Sequence, residues 1–337
     1  MNTRNVHPRK AQRDFLASKE GNVKDSTRRC YEAVTRNFLE YIESNGIEAC
    51  EEIDGYVIEQ WKIKRKQEDN VSPVTLHNNT KHLRVFIRYL ESSELVETGL
   101  PDKIDIPNLS DEEARSDEKV NPEQMEGILG YLEIYEYATR LHASTKLLWH
   151  TGCRAGALTG LDLQDYDPQQ GILKFRNRKE TDTPLKNRNT SERNVTLSQD
   201  VMDVLNDYIN ARRVDVTDEY GREPLFTTEH GRLSRQRLYK NFVAVTRPCV
   251  YDNNCPHGRE VENCDAGMRK KESYLCPSSD SLHPIRRGSI TYHLNRDWPT
   301  EKVSERCDVS VPVLEKHYDA RTHEDKRQGR SQFVDKL

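Results

Sequence analysis

Between Leu100 and Asn121 the chain reads LPDKIDIPNLSDEEARSDEKVN, and this stretch divides everything around it. It is rich in Pro, Asp and Glu and carries no helical period, so it reads as a connection and not as part of a core. On both sides apolar residues recur at helical spacing, and 337 residues exceed what one ordinary domain needs. We therefore expect an N-terminal tail over residues 1–21, a small helical domain over 22–107, a linker over 108–121 with the boundary near residue 110, and a second domain over 122–337. In the first domain, Tyr31, Val34, Phe38 and Ile42 follow capping residues at Asp25 and stop before Gly46. Val57, Ile58 and Trp61 mark a second helix. Leu76, Leu83, Phe86 and Leu90 mark a third that opens near Pro73.

The second block is also mostly helical. GILKFRN (171–177) and ERNVTLS (192–198) read as two strands flanking a polar hairpin, and further helices fit 199–213 and 234–247. The expected fold class is mainly α with a small antiparallel β-sheet. No apolar run approaches the roughly 20 residues a bilayer demands, and the N-terminus, MNTRNVHPRKAQRDF, lacks the apolar stretch of a secretory signal. These features predict a cytoplasmic chain without a membrane partner. Eight cysteines in a reducing compartment are then thiols or metal ligands. The net charge of −4 argues against nucleic acid at the level of the whole chain, but 52 Lys and Arg leave room for local basic faces such as KIKRK (62–66), which reads equally as a solvated helix face.

Four polar pieces of the second block carry chemistry. They are Arg154 in TGCRAGAL, the hairpin with Lys179 and Lys186, His283 and Arg286 in HPIRR, and Tyr318 in LEKHYD. Two guanidinium forks can grip phosphate oxygens bidentately, and each donor aimed at charge developing on a non-bridging oxygen is worth roughly 2.7–4 kcal/mol of barrier. Arginine holds its proton, so His283, a lysine, or both must shuttle it. A phenol, with a free pKa of about 10, becomes a usable nucleophile beside guanidinium charge and an imidazole. Together these pieces describe metal-free phosphoryl transfer through a covalent phosphotyrosine. Each has a bland reading when taken singly: a surface or cap arginine, a locally bonded histidine, an ordinary packed tyrosine.

In order and spacing the boxes resemble the phage integrase, or tyrosine site-specific recombinase, family, and the wording around CPHGRE and HPIRRGSITYHLNRDWP is most similar to integrases of haloarchaea. The resemblance implies a core-binding domain over 22–107 and a catalytic domain of the DNA breaking-rejoining fold from about Glu123 onward. It implies double-stranded DNA as partner, a homo-tetramer on paired sites and no catalytic cofactor. Carried over position by position, Arg154 and Arg286 hold the scissile phosphate, His283 assists proton transfer, and Tyr318 forms a 3′-phosphotyrosine. A hairpin lysine protonates the leaving 5′-oxygen, with Lys186 favoured over Lys179. The expected activity is integration or excision of a mobile element or resolution of replicon dimers. A type IB topoisomerase and a catalytically decayed DNA-binding regulator are the alternatives. Two positions depart from the family pattern: Val309 stands where a His or Trp ring is usual, and Ala157 where a carboxylate is usual. Asp162 and Asp165 are the nearby acids for the second role.

Cys249, Cys255, Cys264 and Cys276 fall in one polar insertion, 249–276, together with His257. A loop with so little apolar content needs a staple, and a structural zinc on four thiolates, or on three with His257, would supply it. The spacing contains no Cys-x-x-Cys knuckle, so four separate thiols stand as the competing reading. Cys30, Cys50, Cys153 and Cys307 read as small apolar fillers.

Overall fold

The structure is a computed structural model that describes residues 6–110, 113, 119–318, 327, 331 and 334. It divides into two compact units, Met1–Ser116 and Asp117–Leu337.

In the first unit α1 (Pro8–Lys19), α2 (Asp25–Ser44), α3 (Gly55–Gln67) and α4 (Pro73–Ser92) enclose one core. Helix α1 corrects the expectation of a tail. His7 caps it by accepting from the Arg9 amide at 3.2 Å, Pro8 occupies its first turn, and Ala11 and Phe15 are fully buried. The Phe15 ring packs 5.2 Å from Phe86 and 5.5 Å from Tyr31. Asp54 caps α3 and Ser72 caps α4 through side-chain acceptors. The indole of Trp61 is buried and donates to Asn37 at 2.9 Å, which satisfies its polar edge. Much of KIKRK is neutralised locally: Lys62 is buried against Glu59, and Lys64 and Arg65 both reach Asp69.

The second unit opens earlier than the sequence suggested. Val120 is fully buried in its core, and the Val120 amide donates to the Pro284 carbonyl at 3.2 Å. Helix α5 (Pro122–Tyr135) is capped by Asn121, and α6 (Arg140–Thr151) by Thr139. Gly152 ends α6 with φ of 57°, and α7 (Ala155–Thr159) follows directly. Next come β1 (Tyr166–Asp167), β2 (Ile172–Phe175) and β3 (Arg193–Thr196), an antiparallel sheet in that order, with Leu173 paired to Val195 and Phe175 to Arg193. Burial alternates along β2, so Leu173 and Phe175 face the core while Lys174 does not.

Helix α8 (Gln199–Asp207) runs into a π-helical turn at Tyr208–Arg212. A hairpin of β4 (Thr227–Thr228) and β5 (Gly231–Arg232) precedes α9 (Arg235–Val245). Residues 249–276 form only short helical turns of at most six residues, with Ala266 as their one buried apolar side chain. Helix α10 (Leu282–Asn295) then crosses the unit. At Gly288 an added Cβ would lie 1.9 Å from the Val120 carbonyl oxygen and 2.9 Å from the Trp149 ring, so only glycine permits this approach. Helices α11 (Thr300–Cys307) and α12 (Val311–His317) pack Val303, Cys307, Val309 and Leu314 on Ile290 and Leu294 of α10. Among the described residues no helix is long and apolar enough to cross a membrane.

Candidate active site

The break between α6 and α7, the start of α10, the end of α11 and the end of α12 face one another. Arg154 is the N-cap residue of α7, placed there by the left-handed turn at Gly152. A side chain on Gly152 would meet the Cys307 sulfur at 2.7 Å, so this turn sits hard against the end of α11. Arg286, on the second turn of α10, is 3% exposed. It donates to the Gly152 and Cys307 carbonyls at 2.6 Å each and to the Asp308 carbonyl at 3.2 Å. A buried guanidinium bonded in this way joins three segments that are far apart in sequence.

The Asp308 side chain is the second link. It sits in the left-handed region with φ of 54° at the end of α11. Its carboxylate accepts from Arg154, from the Ser191 hydroxyl at 2.8 Å and from the Asn187 amide at 3.4 Å. Burial, and then the positive charge of Arg286, press the Arg154 pKa below its usual value, while Asp308 opposes that shift. Asp162 and Asp165, the sequence candidates for supporting Arg154, have other work. Asp162 binds Arg222 and Arg232, and Asp165 binds Arg178. The acidic partner of Arg154 is thus Asp308, a residue no local pattern marks.

His283 opens α10 at the surface, with its ring centroid 6.5 Å from that of Tyr318. Its pKa is lowered by desolvation and by the charges of Arg286, Arg287, Lys186 and Arg154. Because the residue is exposed, the four cations are the firmer cause, and they favour the neutral ring at pH 7. Tyr318 terminates α12 and is 9% exposed. The Thr291 hydroxyl donates to the Tyr318 carbonyl at 3.0 Å, and the Arg287 guanidinium lies 5.8 Å from the centre of its ring. Of the two hairpin lysines, Lys186 is the one whose charge bears on His283. Lys179 sits instead in a tight turn closed between Arg178 and Thr183.

Val309 is buried among apolar side chains, 6% exposed, and offers no hydrogen-bond donor from its side chain. The structure thus gathers Arg154, Lys186, His283, Arg286 and Tyr318 around one region. Sequence reasoning missed the pairing of Asp308 with Arg154, and missed Ser191 and Asn187, which hold the Asp308 carboxylate. The side chain of His317, adjacent to Tyr318, lies outside the described residues.

The cysteines divide into two groups. Cys50, Cys153 and Cys307 are buried fillers, whereas Cys30 is exposed and corrects that expectation. Cys249, Cys255, Cys264 and Cys276, with His257, line one small cavity. Backbone N–H groups of Gly267 and Ala266, together with Arg259, hold the Cys264 thiol below its ordinary pKa, against a smaller effect of desolvation. Among the described residues, no three His, Cys, Asp or Glu side chains are gathered so that they would hold a metal ion as they stand.

Comparison with known proteins fits this geometry. Residues 118–253 match the model of the phage integrase family. The chain is 24% identical over 243 residues to a "Probable integrase/recombinase protein" of Methanocaldococcus jannaschii, a match covering 70% of this chain and 64% of the relative, so the shared part spans less than two thirds of that protein. The fold is similar to that of the Tn1549 transposon integrase solved with a circular intermediate DNA, with a TM-score of 0.67 at 14% identity over 98% of this chain and all of the other. It is also similar to the lambda integrase solved as a tetramer on a Holliday junction, with a TM-score of 0.62 at 13% identity over 95% of this chain and 80% of the other. Its mainly helical fold with a small antiparallel sheet is similar to that of these solved integrases, and residues 118–253 resemble the phage integrase family.

Proposed function

We propose that this protein is a site-specific DNA recombinase that cuts and rejoins double-stranded DNA through a 3′-phosphotyrosine on Tyr318. The observation that carries the reading is the meeting of Arg154, His283, Arg286 and Tyr318 from three separate segments, with the His283 and Tyr318 rings 6.5 Å apart.

The chemistry follows from the groups present. A scissile phosphate would be gripped by Arg154, which Asp308 holds at Nη1, and Arg286 would add charge from behind. The Tyr318 oxygen attacks phosphorus and its proton passes to the neutral His283 ring. The bond from phosphorus to the 5′-oxygen breaks, and Lys186 gives that oxygen a proton. Reversal, with a 5′-hydroxyl of another strand attacking the phosphotyrosine, rejoins the DNA. The phosphoester count is unchanged at each step, so strand exchange needs neither ATP nor a catalytic metal. Assembly as a homo-tetramer on paired sites, in the cytoplasm where the DNA lies, is part of the proposal. It is supported by the fold's likeness to the lambda integrase solved as a tetramer on a Holliday junction.

The test is covalent trapping on a nicked duplex that loses the short fragment carrying the 5′-hydroxyl. The native chain should accumulate a protein–DNA adduct, and Tyr318→Phe should lose the adduct while keeping duplex affinity. The buried Val309, where the family usually has a ring donor, favours a second reading as a DNA-binding regulator without catalysis. Absence of adduct in the native chain, with duplex binding intact, would select it. Relaxation of supercoils without exchange between two sites would instead select a topoisomerase.

A further inference from the structure

The insertion 249–276 has no adequate core. Val261, Met268, Tyr274 and Leu275 are all exposed, the least of them at 42%. A segment with so little buried apolar surface does not repay the entropy of ordering its backbone. Yet its two ends are joined: the Asp280 amide donates to the Thr246 hydroxyl at 2.9 Å, and that hydroxyl donates to the Asp280 carbonyl at 3.3 Å. Arg247, at the base, is buried and braces the far turn by donating to the Ala266 and Gly267 carbonyls.

Within this frame Cys249, Cys255, Cys264 and Cys276 arrive from four separate turns and line a single cavity of about 20 Å³, large enough for one atom-sized guest. Two of the cysteines sit at tight turns. After Cys264, the amides of Gly267 and Met268 both donate to its carbonyl at 2.8 Å. Gly267 admits this only because it lacks a side chain, since a Cβ there would meet the Val261 carbonyl oxygen at 2.8 Å. After Cys255, the Gly258 amide closes a turn on the Cys255 carbonyl at 3.1 Å, with φ of 62° at Gly258. Four thiolates on a divalent ion leave a net charge of −2, and Arg247 and Arg259, which line the same cavity, supply the countercharge. His257 is engaged elsewhere, its Nε2 3.0 Å from the Ser278 hydroxyl.

We propose that Cys249, Cys255, Cys264 and Cys276 bind one structural zinc ion, which staples the insertion and thereby holds the start of α10, seven residues beyond Cys276, where His283 stands. The site is separate from the Arg154–Tyr318 region and takes no part in bond breaking.

Metal analysis of the full-length chain tests this. Protein from zinc-supplemented growth, purified without chelator, should carry about one zinc per chain, and Cys264→Ser and Cys276→Ser should each fall below roughly a tenth of that. Cys30→Ser and His257→Ala should keep the full amount. Cobalt(II) alone, added to zinc-stripped protein, should give the visible bands of a tetrahedral site and the near-ultraviolet charge-transfer band of thiolate ligation. If either serine variant fails to fold, titration of the native chain with a mercurial decides instead, with one zinc released as four thiols react. A native chain without stoichiometric zinc overturns the proposal, as does zinc retained in both serine variants, or zinc lost from His257→Ala. Failure of the adduct assay would leave these results unaffected, because none of them reads catalysis.

Discussion

Asp308 binds Arg154 across 154 residues of sequence, and the same carboxylate takes the Ser191 hydroxyl. The acid that orients the first arginine therefore comes from the end of α11, replacing the support that Ala157 cannot give. Asp308→Ala should leave Arg154 poorly aimed and slow single-turnover adduct formation by about 100-fold, the scale of a misplaced catalytic group. Asp308→Asn, which keeps an acceptor for Ser191, should lose less. Equal rates in the native chain and Asp308→Ala would show that Arg154 needs no such partner.

Lys186 should prove to be the hairpin acid. Lys186→Ala should lower cleavage by roughly 10²–10⁴, the usual worth of a positioned proton donor, whereas Lys179→Ala should stay near native. A substrate with sulfur in place of the scissile 5′-oxygen leaves without protonation, so it should restore Lys186→Ala selectively. Failure of the sulfur substrate to rescue that variant would remove Lys186 from the role.

Gly288 sits where α10 crosses the Val120 backbone. Gly288→Ala forces a methyl to 1.9 Å from a carbonyl oxygen that cannot rotate away. The loss of stability should reach at least the 1–3 kcal/mol of an overpacked core, read as a fall in the melting midpoint of several degrees. Gly130, with open space around it, is the control. A Gly288→Ala chain as stable as a Gly130→Ala chain would mean that α10 shifts freely on its bed.

Acid should unfold the second unit through two histidines. His142 is fully buried, and burial lowers its pKa to about 4; His150 is lowered to about 4 by burial and by Arg306. Since an unfolded histidine titrates near 6.5, the unfolded chain binds more protons between about pH 4 and 6.5. Stability is therefore fullest above 6.5 and declines as pH falls toward 4, by at most about 1.4 kcal/mol per pH unit for each ring. Denaturant midpoints across this range should show the slope, and His142→Gln should flatten it. A slope unchanged in that variant would assign the acid sensitivity to other groups.

Much of the architecture was legible before any coordinates. Apolar residues at helical spacing marked α2, α3 and α4, and the alternation of Ile172–Phe175 marked β2. The order of Arg154, His283, Arg286 and Tyr318 pointed to the site, because each is carried in a short box at a helix end. Helix α1 was legible too, in its His7-Pro8 cap and the spacing of Ala11 and Phe15, though its charged residues made it read as a tail. The sequence by itself determined which chemical groups the protein carries and which elements bear them, since propensity, capping and periodicity act over neighbouring residues. Only the tertiary structure decided that Asp308 and not Asp162 serves Arg154, and that four scattered cysteines share a cavity. Those pairings depend on how whole helices pack, and packing joins residues that no local rule connects.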